Sequence, residues 1–290
     1  MPRMPIVGPR THAARTVLLS VAALVAFAAN SILCRLALAG TAIDAVSFTT
    51  LRIASGATML LLLLRMDRAR PRPGGDWGSA LALFAYAIAF SVAYLALGAG
   101  TGALLLFGAV QLTMTGWAIW RGERLDVPQA SGIALALGGI CWLVWPGLAA
   151  PPLASASLML AAGVAWGVYS LRGRRGAAPL ADTAGNFLRA APIALCLSVA
   201  SAGSARLDLA GAGYAVASGA LASGVGYAIW YSALRGLTAT HAATIQLAVP
   251  VLAALGGVAL LGEPLTQRLV VATIVVLGGI ALVIVRRRAA

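Results

Sequence analysis

Apolar residues run through the chain in ten long stretches, which short polar or glycine-rich connections separate. A hydrocarbon core about 30 Å thick needs about 20 helical residues per crossing, and each stretch is close to that length. The connections are too short to hold a separate soluble domain. The pattern therefore predicts an all-α integral membrane protein with ten transmembrane helices, at residues 15–37, 43–64, 77–97, 101–121, 127–146, 153–172, 181–202, 209–233, 238–261 and 265–285.

The second half of the chain repeats the first at an offset of 137 to 140 positions. Gly122-Glu123 aligns with Gly262-Glu263 at 140, and Leu51-Arg52 aligns with Leu188-Arg189 at 137. A repeat of this length indicates a duplication, which outranks any local motif. We expect two five-helix repeats, over residues 12–146 and 147–288.

The positions of the arginines predict how the repeats are oriented. The chain has 21 basic residues, all of them Arg, and eight acidic residues. With both termini in the cytoplasm, sixteen arginines fall on cytoplasmic segments and three on the opposite side, as the positive-inside rule requires. An odd number of helices per repeat then makes the two repeats antiparallel in the membrane. Inverted repeats of this kind place a substrate site near the midplane between them.

Composition agrees with a multi-pass membrane protein. Hydrophobic residues make up 61% of the chain and charged residues 10%, and the mean hydropathy is +0.92. The net charge of +13 lies in short loops, so it does not indicate nucleic-acid binding. No metal-ligand spacing, nucleotide loop or nucleophile motif occurs, so we expect no enzyme activity, cofactor or metal. Six of the seven tryptophans, including Trp230, lie near predicted helix ends and are interpreted as interfacial anchors.

Polar side chains within the predicted helices are candidates for function, because each is unfavourable in the membrane unless a partner or water satisfies it. A structural role, in which such groups only hold helices together, is the alternative. For Asn30, Gln111 and Gln246 the two roles have equal weight. For two arginines at matched repeat positions and one asparagine we favour the structural role; these are Arg52, Arg189 and Asn186.

Two further residues are of interest in the ninth predicted helix. His241 at its start is the only plausible titrating group near a helix, although a histidine at a helix end is more often structural. Pro250 removes a backbone donor and allows a kink, which would suit either a gate or a static bend.

Aromatic residues form stripes at helical spacing. Tyr86, Phe90 and Tyr94 recur every four residues, as do Tyr227 and Tyr231, and Trp166 lies three residues before Tyr169. Such stripes are more often packing than binding, but buried hydroxyls need partners and so favour a wet cavity. All eight acidic residues lie at predicted helix ends or in loops, which weakens the case for cationic substrates.

Several of these features together resemble the EamA family of the drug/metabolite transporter superfamily. They are the antiparallel five-helix repeats, the Arg in the second helix of each, the Tyr-x-Ala-Leu ends of the third and eighth helices (Tyr94 and Tyr231), and the Gly-Glu after the fourth and ninth. Within the superfamily the chain is most similar to the YddG-type exporters of aromatic and other neutral amino acids.

The resemblance implies a basket in which helices 1, 3, 4, 6, 8 and 9 line a central cavity and helices 5 and 10 lie outside. It assigns substrate binding to Asn30, Tyr86, Tyr94, Gln111, Trp166, Tyr169, Tyr227, His241 and Gln246. The function that the resemblance implies is export of amino acids or related small metabolites across a bacterial inner membrane by alternating access, with a small-molecule substrate and the lipid bilayer as partners. The alternatives are a multidrug, nucleotide-sugar or nucleoside transporter of the same fold, and a membrane scaffold that does not transport.

Overall fold

The computed structural model describes residues 9–67, 71–122, 124–147, 150–173, 178–237 and 239–286 of the chain. Within these ranges every regular element is helical. The helices are α1 (Pro9–Gly40), α2 (Ala45–Met66), α3 (Trp77–Ala93), α4 (Ala99–Trp120), α5 (Val127–Val144), α6 (Leu153–Gly173), α7 (Pro179–Ala200), α8 (Leu209–Leu234), α9 (Ala239–Gln246 and Ala248–Leu261) and α10 (Gln267–Arg286).

Among the described helices, nine are long and apolar enough to cross a membrane. The tenth, α3, is apolar but has 17 residues. The prediction of an all-α membrane protein with about ten helices is therefore confirmed.

Aspartates begin several of the helices, which explains why acidic residues cluster at helix ends. Asp44 accepts hydrogen bonds from the backbone of Val46 and Ser47 at the start of α2. Asp126 and Gln129 form a capping box at the start of α5. Each carboxylate satisfies backbone N–H groups that the first helical turn leaves unpaired. These residues therefore fix helix boundaries where the chain enters the membrane.

Helix α3 is shorter than predicted, and α8 is not α-helical throughout. Helix α3 ends at Ala93, four residues earlier than predicted, and Tyr94 forms its carboxyl-terminal cap. Helix α8 contains a nine-residue π-helical segment at Ala217–Val225, a rare form that is frequent at functional sites.

Helix α9 is interrupted at Leu247, whose backbone N–H donates to Thr244 instead of continuing the α-helical pattern. Pro250 explains the interruption, because it has no N–H to donate to the carbonyl of Gln246. The helix is therefore interrupted close to Pro250, and the kink and its role as a gate stay predictions.

Glycines allow the tightest helix contacts. Helix α6 packs on α4 at Gly163 and Gly167, where an added Cβ would lie 2.5 Å from the Cβ of Ala109 and 2.8 Å from the Cβ of Thr113. Helices α5 and α10 pack on each other at Gly132 and Gly279. Small residues let backbones approach closely, which stabilises helix pairs where no hydrophobic effect drives them together.

The remaining helices surround this framework. Helix α1 packs against α8 and α9, and α6 packs against α3 as well as α4. Helix α2 packs against α7 and against the π-helical segment of α8. The space between α1, α3, α4, α6, α7, α8 and α9 holds the cavity described below.

The outer surface of the bundle is rich in exposed apolar side chains, as a protein surrounded by lipid requires. Trp120 is 74% exposed and Trp145 is 67% exposed, in agreement with roles at the membrane interface. Trp230 is 7% exposed and packs edge-on against Phe27 at a centroid distance of 5.7 Å. Its interpretation as an interfacial anchor is wrong, because its ring turns toward the interior and lines the cavity.

Candidate functional site

A cavity of about 400 Å³ lies inside the helix bundle. That volume suits a small metabolite. Seven of the nine predicted binding residues lie on its wall: Asn30, Tyr86, Gln111, Trp166, Tyr169, Tyr227 and Gln246. No described residue of α5 or α10 lines it, as expected, but α7 does contribute, which the resemblance did not predict.

Trp166 is at the centre of the aromatic wall. Its ring is tilted against Tyr86 at a centroid distance of 4.8 Å and stacks on Tyr169 at 5.1 Å. It also stacks on Tyr227 at 5.7 Å. Three helices, α3, α6 and α8, therefore bring their aromatic stripes together at one point. The result is a continuous flat apolar surface with hydroxyl groups along its edges.

A polar group lies on one side of this wall, where α1, α2, α3 and α8 meet. The Tyr86 hydroxyl accepts hydrogen bonds from Nη2 of Arg52 at 2.7 Å and from Nδ2 of Asn30 at 3.3 Å. The hydroxyl of Ser218 donates to Oδ1 of Asn30 at 2.5 Å. Ser218 belongs to the π-helical segment, so that segment holds the asparagine amide in place. The sequence contained no signal for Ser218, because small residues are common throughout this chain.

A second polar group lies at the side of the wall formed by α6, α7 and α8. The hydroxyls of Thr183 and Tyr231 are 2.8 Å apart, and the Tyr169 hydroxyl donates to Thr183 at 3.4 Å. Oδ1 of Asn186 accepts from the backbone N–H of Asp76 at 3.0 Å. Asn186 thus has a structural bond, and it also lines the cavity.

Other lining groups offer free hydrogen-bonding capacity. The amides of Gln111 and Gln246 line the cavity and make no hydrogen bond to another described residue. The Ser223 hydroxyl is buried there without a hydrogen-bond partner. Asp182 lies in the first turn of α7 and accepts a hydrogen bond from the backbone N–H of Gly75 at 3.0 Å. Among the described lining residues, it supplies the carboxylate. Aspartate at a helix end was expected, but its place on the cavity wall was not.

Two predicted binding residues lie outside the cavity. Tyr94 is fully buried; its hydroxyl donates to the carbonyl of Ala99 at 3.2 Å, and its ring fills the space left by Gly102. His241 is exposed at the start of α9, while Ala242 and Gln246 on another face of that helix line the cavity. Tyr94 caps the early end of α3, and His241 lies on a face of α9 that does not line the cavity.

Arg189 matches its structural interpretation. Its Nη1 donates to the carbonyl oxygens of Gly74 at 2.6 Å and Gly185 at 2.9 Å, and it is not among the lining residues. This side chain therefore anchors the connection that precedes α3.

The cavity reaches the surface at one end of the bundle, called the open end here. Its lining there includes the exposed residues Gly173 and Pro179, at the end of α6 and the start of α7. Nearby, Nη2 of Arg172 donates to Asp76 at 2.6 Å, and both side chains are about half exposed. The Ser79 hydroxyl and then the Arg172 guanidinium hold the pKa of the Asp76 carboxyl well below its usual value.

The opposite end, called the closed end here, is held by an ion pair. Nε of Arg35 on α1 donates to Oε1 of Glu263 at 3.0 Å, just after α9. Oε2 of Glu263 accepts from the backbone N–H of Ala99 at 2.7 Å, and Nη1 of Arg35 donates to the carbonyl of Tyr94 at 2.9 Å. The pair therefore links the ends of α1, α3, α4 and α9. Both side chains are less than one-fifth exposed.

Chemically, the cavity combines a flat aromatic surface with neutral hydroxyls and amides, one buried guanidinium behind its wall and one carboxylate near its open end. Such a set can bind and orient a small polar molecule that also has an apolar part. Within the described residues, no three His, Cys, Asp or Glu side chains lie close enough to hold a metal ion.

Comparisons with known proteins relate the chain to transporters. Residues 153–285 match the model of the EamA-like transporter family. A Pseudomonas aeruginosa protein described as uncharacterized is 60% identical over 275 residues, which cover 94% of this chain and 96% of that protein. A crystal structure of a protein that is 20% identical has a similar fold, with a TM-score of 0.66 over 96% of this chain and 99% of the other.

Proposed function

We propose that the chain, whose residues 153–285 match the EamA-like transporter family, is a membrane transporter that exports neutral amino acids or related small metabolites. The observation that carries this proposal is the cavity wall. Trp166 supplies a broad apolar surface, and hydroxyls and amides lie on both sides of it. An amino acid with an apolar side chain needs this combination of groups.

Transport proceeds in this proposal by alternating access between two inverted repeats, residues 12–146 and 147–288. The packing supports it: α1 contacts α8 and α9, and the corresponding second-half helix α6 contacts α3 and α4. Each repeat thus inserts its first helix between the third and fourth helices of the other. A substrate site at such an interface can open to either face when one repeat rocks against the other.

The open end faces the cytoplasm of a bacterial cell in this proposal. The excess of arginines on the segments at this end supports that orientation, because positively charged loops stay in the cytoplasm. The structure would then represent the form that takes up substrate for export. The ion pair of Arg35 and Glu263 would close the outward path.

The function is tested by uptake of labelled neutral amino acids, one aromatic and one branched aliphatic, into liposomes that contain the purified protein. We expect uptake above that of empty liposomes. Gln111→Ala and Trp166→Ala should each reduce it about fivefold or more, because each removes a contact worth about 1 kcal/mol or more from the cavity wall.

Trp145→Ala is the matched control, because this tryptophan is 67% exposed on the outer surface. It should transport at the wild-type rate. Measuring uptake with and without a pH gradient shows whether protons are coupled to transport. Equal uptake by the wild type and by both cavity variants would refute the assignment of this cavity as the transport site.

A further inference from the structure

The cavity wall hides a positive charge that has no negative partner among the described residues. Arg52 on α2 is 2% exposed, and a guanidinium is always protonated. Its Nη2 donates to the Tyr86 hydroxyl, while its Nη1 is buried and has no hydrogen-bond partner in the part of the chain that the structure describes. Its Cζ lies 5.2 Å from the ring centroid of Tyr86 and 4.9 Å from that of Phe90. A charge left in this condition within a membrane is unfavourable, which makes a functional role the default interpretation.

The Tyr86 hydroxyl carries the effect of this charge to the cavity. A tyrosine hydroxyl has one proton to donate and can accept two hydrogen bonds. Both accepting positions are filled, by Arg52 Nη2 at 2.7 Å and Asn30 Nδ2 at 3.3 Å. The distance of 2.5 Å between the Ser218 hydroxyl and the Asn30 amide suits an O–H···O bond and is too short for an N–H···O bond, so Oδ1 faces Ser218 and Nδ2 faces Tyr86.

The proton of the Tyr86 hydroxyl consequently has no acceptor among the described residues. The cavity is the remaining space beside this side chain, since Tyr86 lines it. The neighbouring guanidinium polarises the O–H group and strengthens it as a donor. A ligand that offers a negatively charged acceptor at this point gains both a hydrogen bond and the attraction of the buried charge.

Arg189 shows that the matched position of the repeat does not by itself require an unsatisfied charge. Its Nη1 donates to two carbonyl oxygens, of Gly74 and Gly185. Arg52 has no such pair of carbonyls. The difference argues against a purely structural role for Arg52, which the sequence alone had favoured.

We propose that Tyr86, held by Arg52 and Asn30, binds a carboxylate of the transported molecule. Arg52 acts through Tyr86 and is a positioning residue. Asp182, which lines the same cavity, offers an acceptor for an amino group. This inference rests on the proposed transport function and narrows it to molecules that carry a carboxylate, such as zwitterionic amino acids. It disfavours hydrophobic cations and uncharged sugars.

The test measures binding by titration calorimetry, with pairs of ligands that differ only in the carboxylate. The pairs are L-phenylalanine with L-phenylalaninol, L-leucine with L-leucinol, and 3-phenylpropionate with 3-phenylpropanol. We expect the wild-type protein to prefer at least one carboxylate over its alcohol by about tenfold or more, the usual effect of a charged hydrogen bond. Absence of any such preference would overturn the proposal.

Tyr86→Phe keeps the aromatic ring and removes the hydroxyl. It should weaken carboxylate binding about tenfold or more and leave alcohol binding within about twofold. Tyr94→Phe is the matched control on the same helix, because the Tyr94 hydroxyl bonds to Ala99 away from the cavity; its preference should equal that of the wild type. A preference that survives in Tyr86→Phe would refute the assignment.

Arg52→Lys and Arg52→Gln separate charge from structure. Lysine should keep part of the preference and glutamine should lose it, whereas a merely structural role would reduce carboxylate and alcohol binding equally. Liposome uptake with the same preparations distinguishes the two proposals. Uptake without a carboxylate preference removes this inference alone, and a preference without uptake removes the transport function alone.

Discussion

Glu263→Gln tests whether the ion pair with Arg35 keeps the closed end shut. The two carboxylate oxygens accept one bond from Arg35 at 3.0 Å and one from the Ala99 backbone at 2.7 Å. Glutamine can keep the bond to Ala99 but removes the charge that faces Arg35. A hydrogen bond to a charged group contributes about 1.5–3 kcal/mol when it is shielded from water. The side chains of Arg35 and Glu263 are 18% and 16% exposed. Because water partly screens the pair, the lower half of this range applies.

A loss of about 1.5–2 kcal/mol from the closed form alone raises the ratio of open to closed molecules at this end about tenfold or more. Ala103 is placed to report that ratio. It is fully buried on α4, between Gly100 near the ion pair and Phe107 on the cavity wall. A cysteine at position 103 becomes accessible from the closed end when the ends of α1 and α9 separate.

The assay is alkylation of Ala103→Cys by a maleimide that does not cross membranes, after replacement of the three native cysteines by alanine. We expect the labelling rate from the closed end to rise about tenfold in Glu263→Gln, since labelling follows the population of the open form. Arg172→Gln breaks the exposed pair with Asp76 at the other end and should change the rate by less than about twofold. An unchanged rate in Glu263→Gln would refute the role of the ion pair in closure.

Two further predictions concern stability. Gly279→Ala should destabilise the protein by about 1–3 kcal/mol, because the new Cβ would lie 2.5 Å from a carbonyl oxygen of α5. The adjacent Gly278→Ala is the control: its Cβ meets nothing within 4 Å, so it should not destabilise the protein. Thermal unfolding in detergent compares the two variants. Asp76 has a lowered pKa in the folded protein, so its carboxylate stabilises the fold above the unfolded pKa of about 4 and loses that effect as the pH falls. Asp76→Asn should therefore melt below the wild type at pH 7 and approach it at acid pH, and a gap that stays constant with pH would contradict this assignment.

Much of the fold follows from the apolar stretches and the residues that end them. Asp44 and Asp126 lie at helix starts because their carboxylates satisfy unpaired backbone N–H groups. The aromatic wall was also predictable, because Tyr86 and Trp166 stand at helical spacing from other aromatic residues with hydroxyl groups. These signals are local, and local spacing is what a single sequence shows most clearly.

The parts of the site that were missed depend on contacts between distant helices. The π-helical segment places Ser218 against the Asn30 amide and Ser223 at the cavity, and its Gly219 lies against the backbone of Arg52 on α2. A run of small residues has no periodicity that reveals such a segment. Trp230 was misassigned for a related reason. Its position near a helix end suits a lipid interface, and only the packing of α8 against Phe27 turns it inward.

Matched positions of the repeat have different surroundings, and the differences follow the two ends of the cavity. Tyr94 at the closed end donates to a backbone carbonyl and is fully buried. Its repeat counterpart Tyr231 at the open end shares a hydrogen bond with Thr183 on the cavity wall. The two copies of this helix hairpin therefore differ: the Tyr94 side chain is packed away from the cavity, and the Tyr231 side chain lines it. In the alternating access that we propose, the two copies would exchange these surroundings when the other end closes. If Arg52 serves the substrate, Arg52 and its counterpart Arg189 do not exchange surroundings in this way. Arg189 is already bonded to two carbonyl oxygens.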